Sequence, residues 1–309
     1  MSPVTGKDGV QKFDSVDAAS IVNLYKKQLD VDVSQVFQGL SKIEILKCGQ
    51  TGYHFYYPFN LAGDAAFYEE LQHKMTGNLS YYRGWGYDHA FAINKVRPNE
   101  AVLDIGCGSG NFLEKAREIT DNVTGLEFNE KAINECRKKG LSVQNETIEK
   151  HAGSNPEKYD LVCIFQVLEH IYDIKPFLEA SVATVKKGGR LIIGVPNNEP
   201  YLQGYHKYST LNLPPHHMGM WNKSSFEKIQ DVYGIKLLEV VYDGKATLTL
   251  DMYYRAKMLW GIKSEIQHHT KLEKLKMLLA APITFFPSFY RKITRGLSSR
   301  NIVVVFEKI

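Results

Sequence analysis

One stretch limits the fold of this chain more than any other: Val102-Leu103-Asp104-Ile105-Gly106-Cys107-Gly108-Ser109-Gly110. It reads as a short buried strand that ends in a glycine-rich turn. The residues that follow, Asn111 to Ile119, place Phe112, Leu113, Ala116 and Ile119 on one helical face. Strand, glycine turn and helix make the layout of a nucleotide-type site at the carboxyl end of a parallel strand. Glycine suits such a turn because a side chain would block close approach of a ligand to the backbone.

The spacing separates two ligand classes. A dinucleotide fingerprint is G-x-G-x-x-G, with a pyrophosphate on the helix N-terminus. Here it is G-x-G-x-G, and Asn111 stands where the third glycine would fall. Asp104 at the strand end would repel a pyrophosphate but can face a cation. Val123-Thr124-Gly125-Leu126-Glu127-Phe128 reads as the second strand, and Glu127 comes about 20 residues after the turn, the range of a ribose-binding carboxylate. A ribose without phosphates, joined to a cationic group, describes S-adenosylmethionine.

D-I-G-C-G-S-G followed by G-L-E resembles the first two motifs of class I S-adenosylmethionine-dependent methyltransferases. The resemblance implies an α/β fold: a doubly wound, Rossmann-like seven-stranded sheet whose last strand is antiparallel. It also implies cofactor contacts from Asp104, Gly106, Cys107, Gly108, Ser109, Gly110, Glu127 and Phe128. Glu146 and Thr147, after a third strand at Leu141-Ser142-Val143, fall where the family contacts adenine. Gln166 ends the apolar fourth strand, Tyr159 to Phe165, on the ligand side.

The rest of the chain fits around that sheet. Met1 to Asp14 is expected to be poorly ordered. A helix is expected through Ile21, Leu24 and Tyr25. A hairpin follows, from Lys42–Cys48 and Gly52–Tyr57. Another helix starts at Asp64. The segment Tyr81 to Phe91 is rich in aromatics, and Trp85 within it is a candidate cofactor contact in a lid or packed cap. The order L-K-C, T-G-Y-x-F-Y-x-P, G-D-x-x-F-Y-x-x-L and Y-x-x-G-W-x-Y-D-H-A is similar to bacterial methyltransferases found with glycan or other secondary biosynthesis genes. That likeness implies a sugar or sugar-derived acceptor. Some of these relatives open with a cysteine-rich zinc module, but only Cys48 stands there in this chain, so no zinc is expected.

Tyr172 to Lys187 reads as a helix ended by Gly188-Gly189, and Arg190 to Val195 as the fifth strand. A helix from Ser224 to Tyr233 leads to a sixth strand, Lys236 to Tyr242, and Asn301 to Glu307 closes the sheet. The expected division is an N-terminal extension and cap over 1–97 and a methyltransferase domain over 98–309, with a helical insertion at about 247–299. Within that insertion 278–300 is apolar, broken by Pro282 and Pro287, and flanked by Arg291, Lys292, Arg295 and Arg300. It reads as a pocket cover, a homodimer contact or a peripheral membrane contact at the inner face.

Composition excludes little. A chain of 309 residues with a formal charge of +4 has no clustered basic arm, so no nucleic-acid partner is expected. Cys48, Cys107, Cys136 and Cys163 lack metal-ligand spacing and read as reduced core thiols of a cytoplasmic protein. No secretory leader or membrane-spanning run is visible.

Methyl transfer from a sulfonium is an in-line displacement, and a base is needed only when a hydroxyl must lose its proton. Two clusters offer one: Gln166-Val167-Leu168-Glu169-His170 after the fourth strand, and Pro214-Pro215-His216-His217 before the Ser224 helix. Histidine suits the task because its pKa lies near neutral. His170, His216, His217 and Glu169 are therefore the catalytic candidates. L-E-H also recurs in methyltransferases with unlike substrates, so a structural role for His170 stays open. Methyltransferases similar to the ubiquinone-pathway and small-RNA 3′-end enzymes carry E-x-x-E-H at this point and hold a divalent cation. This chain has Q-x-x-E-H, which lacks the first carboxylate, so no resident metal is expected. Two rival functions predict different things: a non-catalytic S-adenosylmethionine-binding scaffold would show no turnover, and an RNA methyltransferase would carry a continuous basic surface.

Overall fold

The computed structural model describes residues 1–75, 84–198, 210–243 and 301–309, together with Leu272 and Leu275. The insertion at 247–299, its 278–300 segment and Tyr81 to Arg83 thus lie essentially outside the described residues.

The N-terminal part builds a sheet of its own. It comprises β1 (Val10–Asp17), α1 (Ala18–Leu29), β2 (Lys42–Cys48), β3 (His54–Tyr57) and α2 (Ala65–Lys74). Asp64 caps α2 by accepting from the Phe67 amide at 2.9 Å. Next come α3 (Tyr87–Ala92), β4 (Val102–Ile105), α4 (Asn111–Ala116), β5 (Val123–Leu126), α5 (Glu130–Lys138), β6 (Val143–Gln144) and α6 (Ile148–Ser154). The chain continues with β7 (Tyr159–Phe165), α7 (Ile174–Thr184), β8 (Val185–Pro196), β9 (Gly219–Met220), α8 (Lys223–Tyr233), β10 (Ile235–Tyr242) and β11 (Asn301–Lys308).

The main sheet has seven strands in the order β10-β11-β8-β7-β4-β5-β6. β6, β5, β4, β7 and β8 run parallel, and β11 lies antiparallel between β8 and β10. This is the doubly wound sheet expected from the sequence. The chain leaves β4 toward β5 and β6, then returns to β4's other side as β7 and β8. The reversal opens a crevice at the carboxyl end of β4, where the glycine turn sits. β7 is buried along nearly its whole length, as a central parallel strand must be.

Three features depart from the expectations. The N-terminus is ordered: β1 pairs with β2, Val4 is fully buried, and the Tyr233 hydroxyl donates to the Val4 carbonyl at 2.6 Å. The polar run of Met1 to Asp14 hid this, because an edge strand needs few apolar residues. The helix before β8 stops at Thr184, not at Gly188-Gly189. Val185 already pairs with Tyr159, and Gly188, at φ 73°, turns a bulge that restores the ladder at Arg190. Finally, β9 leaves the methyltransferase-like half to pair with β3, giving a four-stranded sheet β1-β2-β3-β9. Trp221, just past β9, stacks on Phe226 and packs on Tyr53, so the two sheets share apolar contacts.

Candidate functional site

The glycine turn is held by backbone geometry. Gly106, Gly108 and Gly110 have φ of 75°, 52° and 76°, a region that side chains disfavour. A Cβ at Gly106 would come within 2.5 Å of Val167 Cγ2, and one at Gly110 within 2.6 Å of Leu141 Cδ1 and 2.8 Å of Cys136 Sγ. At both positions the protein's own packing requires glycine, a reason beyond the ligand approach argued from sequence. Cys107 is buried, and its hydrogen bond with Cys136, together with burial, pushes its thiol pKa up. The Ser109 carbonyl accepts from Lys139 Nζ at 3.0 Å.

Glu127 ties the turn to the next strand end. Its Oε2 accepts from the Gly108 amide at 2.9 Å, and its Oε1 from Phe128 and Asn129 at 2.8 and 2.9 Å. A carboxylate has about four acceptor sites, so these three amides leave room for roughly one more donor. The ring of Phe128 is well exposed beside it.

Asp104 is buried, and its Oδ1 has no hydrogen-bond partner. Its pKa is raised well above the usual carboxyl value by burial first, then by the negative charges of Asp88 and Glu127. Asp88 was not singled out from the sequence. It is buried on α3 and accepts from Gln166 Nε2 at 3.2 Å. Gln166 itself sits at φ 55°, with its amide bonded to the Gly194 carbonyl at 2.7 Å. Gly194 is needed there, since a Cβ would lie 2.9 Å from Asp88 Cβ. Among the described residues no salt bridge reaches Asp88, Asp104 or Glu127. Three acids around a glycine turn, one with an orphaned oxygen, fit a cationic nucleoside. S-adenosylmethionine brings an electrophilic methyl group on a sulfonium; these residues would hold and orient it.

His89 was also missed. It lies next to Asp88, packs edge-on against Phe165 at 5.0 Å, and faces Trp85 at 5.5 Å. Burial lowers its pKa, and Asp88 offsets part of that. Trp85 is half exposed over this ring. On the other side, Glu146 and Thr147 are engaged within the protein. Glu146 pairs with His151 Nδ1 at 2.8 Å, and Thr147 caps α6 through Lys150.

The histidines from two separate segments do meet. Ring centroids lie 4.6 Å apart for His170 and His216, 4.9 Å for His170 and His217, and 4.5 Å for His216 and His217. His170 Nδ1 donates to the His216 carbonyl at 2.6 Å, with the Tyr68 hydroxyl at 3.3 Å. Burial pushes the His170 pKa down to about 4, and the His216 and Gln166 backbone carbonyls offset part of it. Burial, with His170 beside it, also takes His216 well below the ordinary value. Glu169 is buried, with Oε1 4.0 Å from His170 Nε2. α2 links this cluster to the cofactor side. Tyr68 touches His170, and Gln72, one turn on, accepts from Asn129 Nδ2 at 3.3 Å beside Glu127.

Comparison with known proteins bears on the class of the chain. The family model described as "Methyltransferase domain" matches residues 72–240, more than half of the chain. A ubiquinone biosynthesis O-methyltransferase of Aeromonas salmonicida is 33% identical over 105 residues, covering 32% of this chain and 44% of that protein. The corresponding protein of Stutzerimonas stutzeri is 23% identical over 218 residues, covering 62% of this chain and 94% of that one. The match to the Aeromonas relative thus spans less than half of its length. A solved S-adenosylmethionine-dependent methyltransferase from Archaeoglobus fulgidus aligns with a TM-score of 0.48 at 20% identity, over 71% of this chain and 92% of that one. Sheet order, glycine turn and acidic strand ends define the class as Rossmann-like S-adenosylmethionine-dependent methyltransferases. The chain belongs to the methyltransferase-domain family, and S-adenosylmethionine is its cofactor.

Proposed function

We propose that this methyltransferase acts on a hydroxyl oxygen of a small-molecule acceptor, with a sugar or sugar-derived metabolite as the class of first choice. The observation that carries the oxygen is the imidazole cluster of His170, His216 and His217 beside the strand end that bears Gln166. Carbon and amine nucleophiles have less need of such a group, whereas a hydroxyl must lose its proton as it attacks. The relatives' names, O-methyltransferases of ubiquinone biosynthesis, support oxygen as the methylated atom. The sugar class rests on the N-terminal motif order alone.

In this reading Asp104, Gly106, Gly108, Glu127 and the exposed Phe128 ring hold the nucleoside. Asp88 and Gln166 line the crevice toward the sulfonium, and Trp85 and His89 wall it off from water. The histidine cluster receives the acceptor hydroxyl and favours loss of its proton. Alignment and dehydration supply most of the acceleration, because the leaving group is already a good one.

Incubation of the full chain with S-adenosylmethionine and a panel of sugar nucleotides and phenols tests this. Release of S-adenosylhomocysteine, with mass spectrometry placing the methyl on oxygen, is the expected result. A product methylated on carbon or nitrogen defeats the oxygen assignment. Turnover confined to phenols defeats the sugar class.

A further inference from the structure

We propose that His170, His216 and His217 form a binding site for a divalent first-row transition metal, with zinc(II) the best-matched ion. One ring nitrogen from each lies within 4.8 Å of the others. Nitrogen donors select zinc-like ions over magnesium or calcium.

The surroundings of each ring favour this reading. A metal-bound histidine almost always donates its second N–H to an acceptor, which fixes its tautomer and orientation. All three rings do so here. His170 Nδ1 meets the His216 carbonyl at 2.6 Å, and His216 Nδ1 meets the Leu211 carbonyl at 2.8 Å. His217 Nδ1 meets Asn212 Oδ1 at 3.0 Å. The amide of Asn212 is itself oriented: its Nδ2 donates to Asn198 Oδ1 at 3.0 Å, and Asn198 Nδ2 donates to the Pro196 carbonyl at 3.1 Å. The chain of bonds ends on an obligate acceptor, so Nδ1 of His217 carries the proton. With Nδ1 protonated, the lone pair of His217 lies on Nε2. The buried carboxylate of Glu169, 4.0 Å from His170 Nε2, is a negative charge that offsets a bound cation.

Neighbouring ligands on a tetrahedral zinc lie about 3.3 Å apart, given zinc–nitrogen bonds near 2.0–2.1 Å. The rings must therefore draw together somewhat on loading. Three protein ligands leave one position for an exogenous oxygen, the pattern of catalytic zinc rather than of closed structural sites. That the oxygen is the acceptor hydroxyl rests on the function proposed above; the metal site itself stands on the imidazole geometry. It shares His170 and His217 with the hard-cation site that the sequence offers through Glu169, His170 and His217, but takes His216 in place of the carboxylate. Two of its three ligands come from the P-P-H-H loop, and none is a carboxylate.

The test uses tag-free full-length protein stripped with a chelator, then titrated with cobalt(II) in the spectrophotometer and zinc(II) in the calorimeter. Wild type is expected to bind one ion per chain, with the strong visible bands of low-coordinate cobalt. His170→Ala, His216→Ala and His217→Ala should each weaken binding by more than about tenfold, while S-adenosylhomocysteine binding, which reports the fold and the cofactor half, persists. Asn212→Ala keeps all three ligands and should weaken metal binding by about tenfold, as loss of an orienting partner does. The proposal is overturned if stripped wild type shows no such cobalt bands, or if its zinc affinity equals that of a folded single variant. Metal binding without methyl transfer to any hydroxyl leaves the site standing and defeats the acceptor reading.

Discussion

Glu127 shows how one side chain serves two purposes. Its carboxylate gathers the Gly108, Phe128 and Asn129 amides and so fixes the glycine turn against the end of β5. Hydrogen bonds to an ionised acceptor contribute about 1.5–3 kcal/mol each. Glu127→Ala should therefore lower S-adenosylhomocysteine affinity by at least tenfold in calorimetry; unchanged affinity would remove it from the ribose site. The histidines carry a second residue-scale prediction. His170 and His54 are both held down to about 4 by burial, from an ordinary 6.5. Between those values the unfolded chain binds protons that the folded chain refuses. Stability contributed by keeping these rings neutral is complete above pH 6.5 and falls away as the pH drops through about 4. Urea midpoints should decline steadily over that window, and less steeply in His54→Gln.

At the scale of elements, the strand–turn–helix unit depends on glycine for steric reasons that sequence alone assigned to the ligand. Gly110→Ala places a Cβ against Leu141 and Cys136 at a positive φ. Overpacking and backbone strain each cost about 1–3 kcal/mol. Loss of at least about 2 kcal/mol in denaturant unfolding is the expected outcome. Strand β8 is fastened differently. Arg190, nearly buried, donates to both carboxylate oxygens of Glu100 and to the Lys95 carbonyl. Glu100→Ala leaves that guanidinium without its counter-charge. Breaking such a pair from one side costs about 3–5 kcal/mol, so it should destabilise the protein more than Lys12→Ala, whose pairing with Glu44 is exposed.

Over the whole molecule, the P-P-H-H loop is positioned from far away in the chain. The Tyr25 hydroxyl on α1 donates to the Leu213 carbonyl at 2.9 Å and accepts from the His216 amide at 3.3 Å. β9, directly after the loop, is stitched to β3, and the Met218 amide bonds to the Glu169 carbonyl at 2.8 Å. The N-terminal sheet thus frames the histidines. Tyr25→Phe removes both bonds of this buried hydroxyl while the Leu213 carbonyl keeps the His216 and His217 amides, so the loss is that of two hydrogen bonds at about 0.5–1.5 kcal/mol each. It should lower the denaturation midpoint and depress methyl transfer more than S-adenosylhomocysteine binding. Equal loss of both would mean that the loop does not act on the acceptor side. No helix among the described residues is long and apolar enough to cross a membrane.

The amino-acid sequence by itself determined the parallel sheet, the glycine turn and the acidic ends of its first two strands, because each is written in a few consecutive residues with a fixed period or spacing. It also pointed to both histidine segments, though not to a three-ring cluster oriented by two backbone carbonyls and the Asn212 amide. Only the tertiary structure brought Asp88 and His89 into the crevice, showed Glu127 largely occupied by amides, paired β9 with β3 and buried the first residues of the chain. The physical reason is separation along the chain: contacts such as Tyr25 with His216 or Gln166 with Asp88 join distant residues, and no local pattern records them.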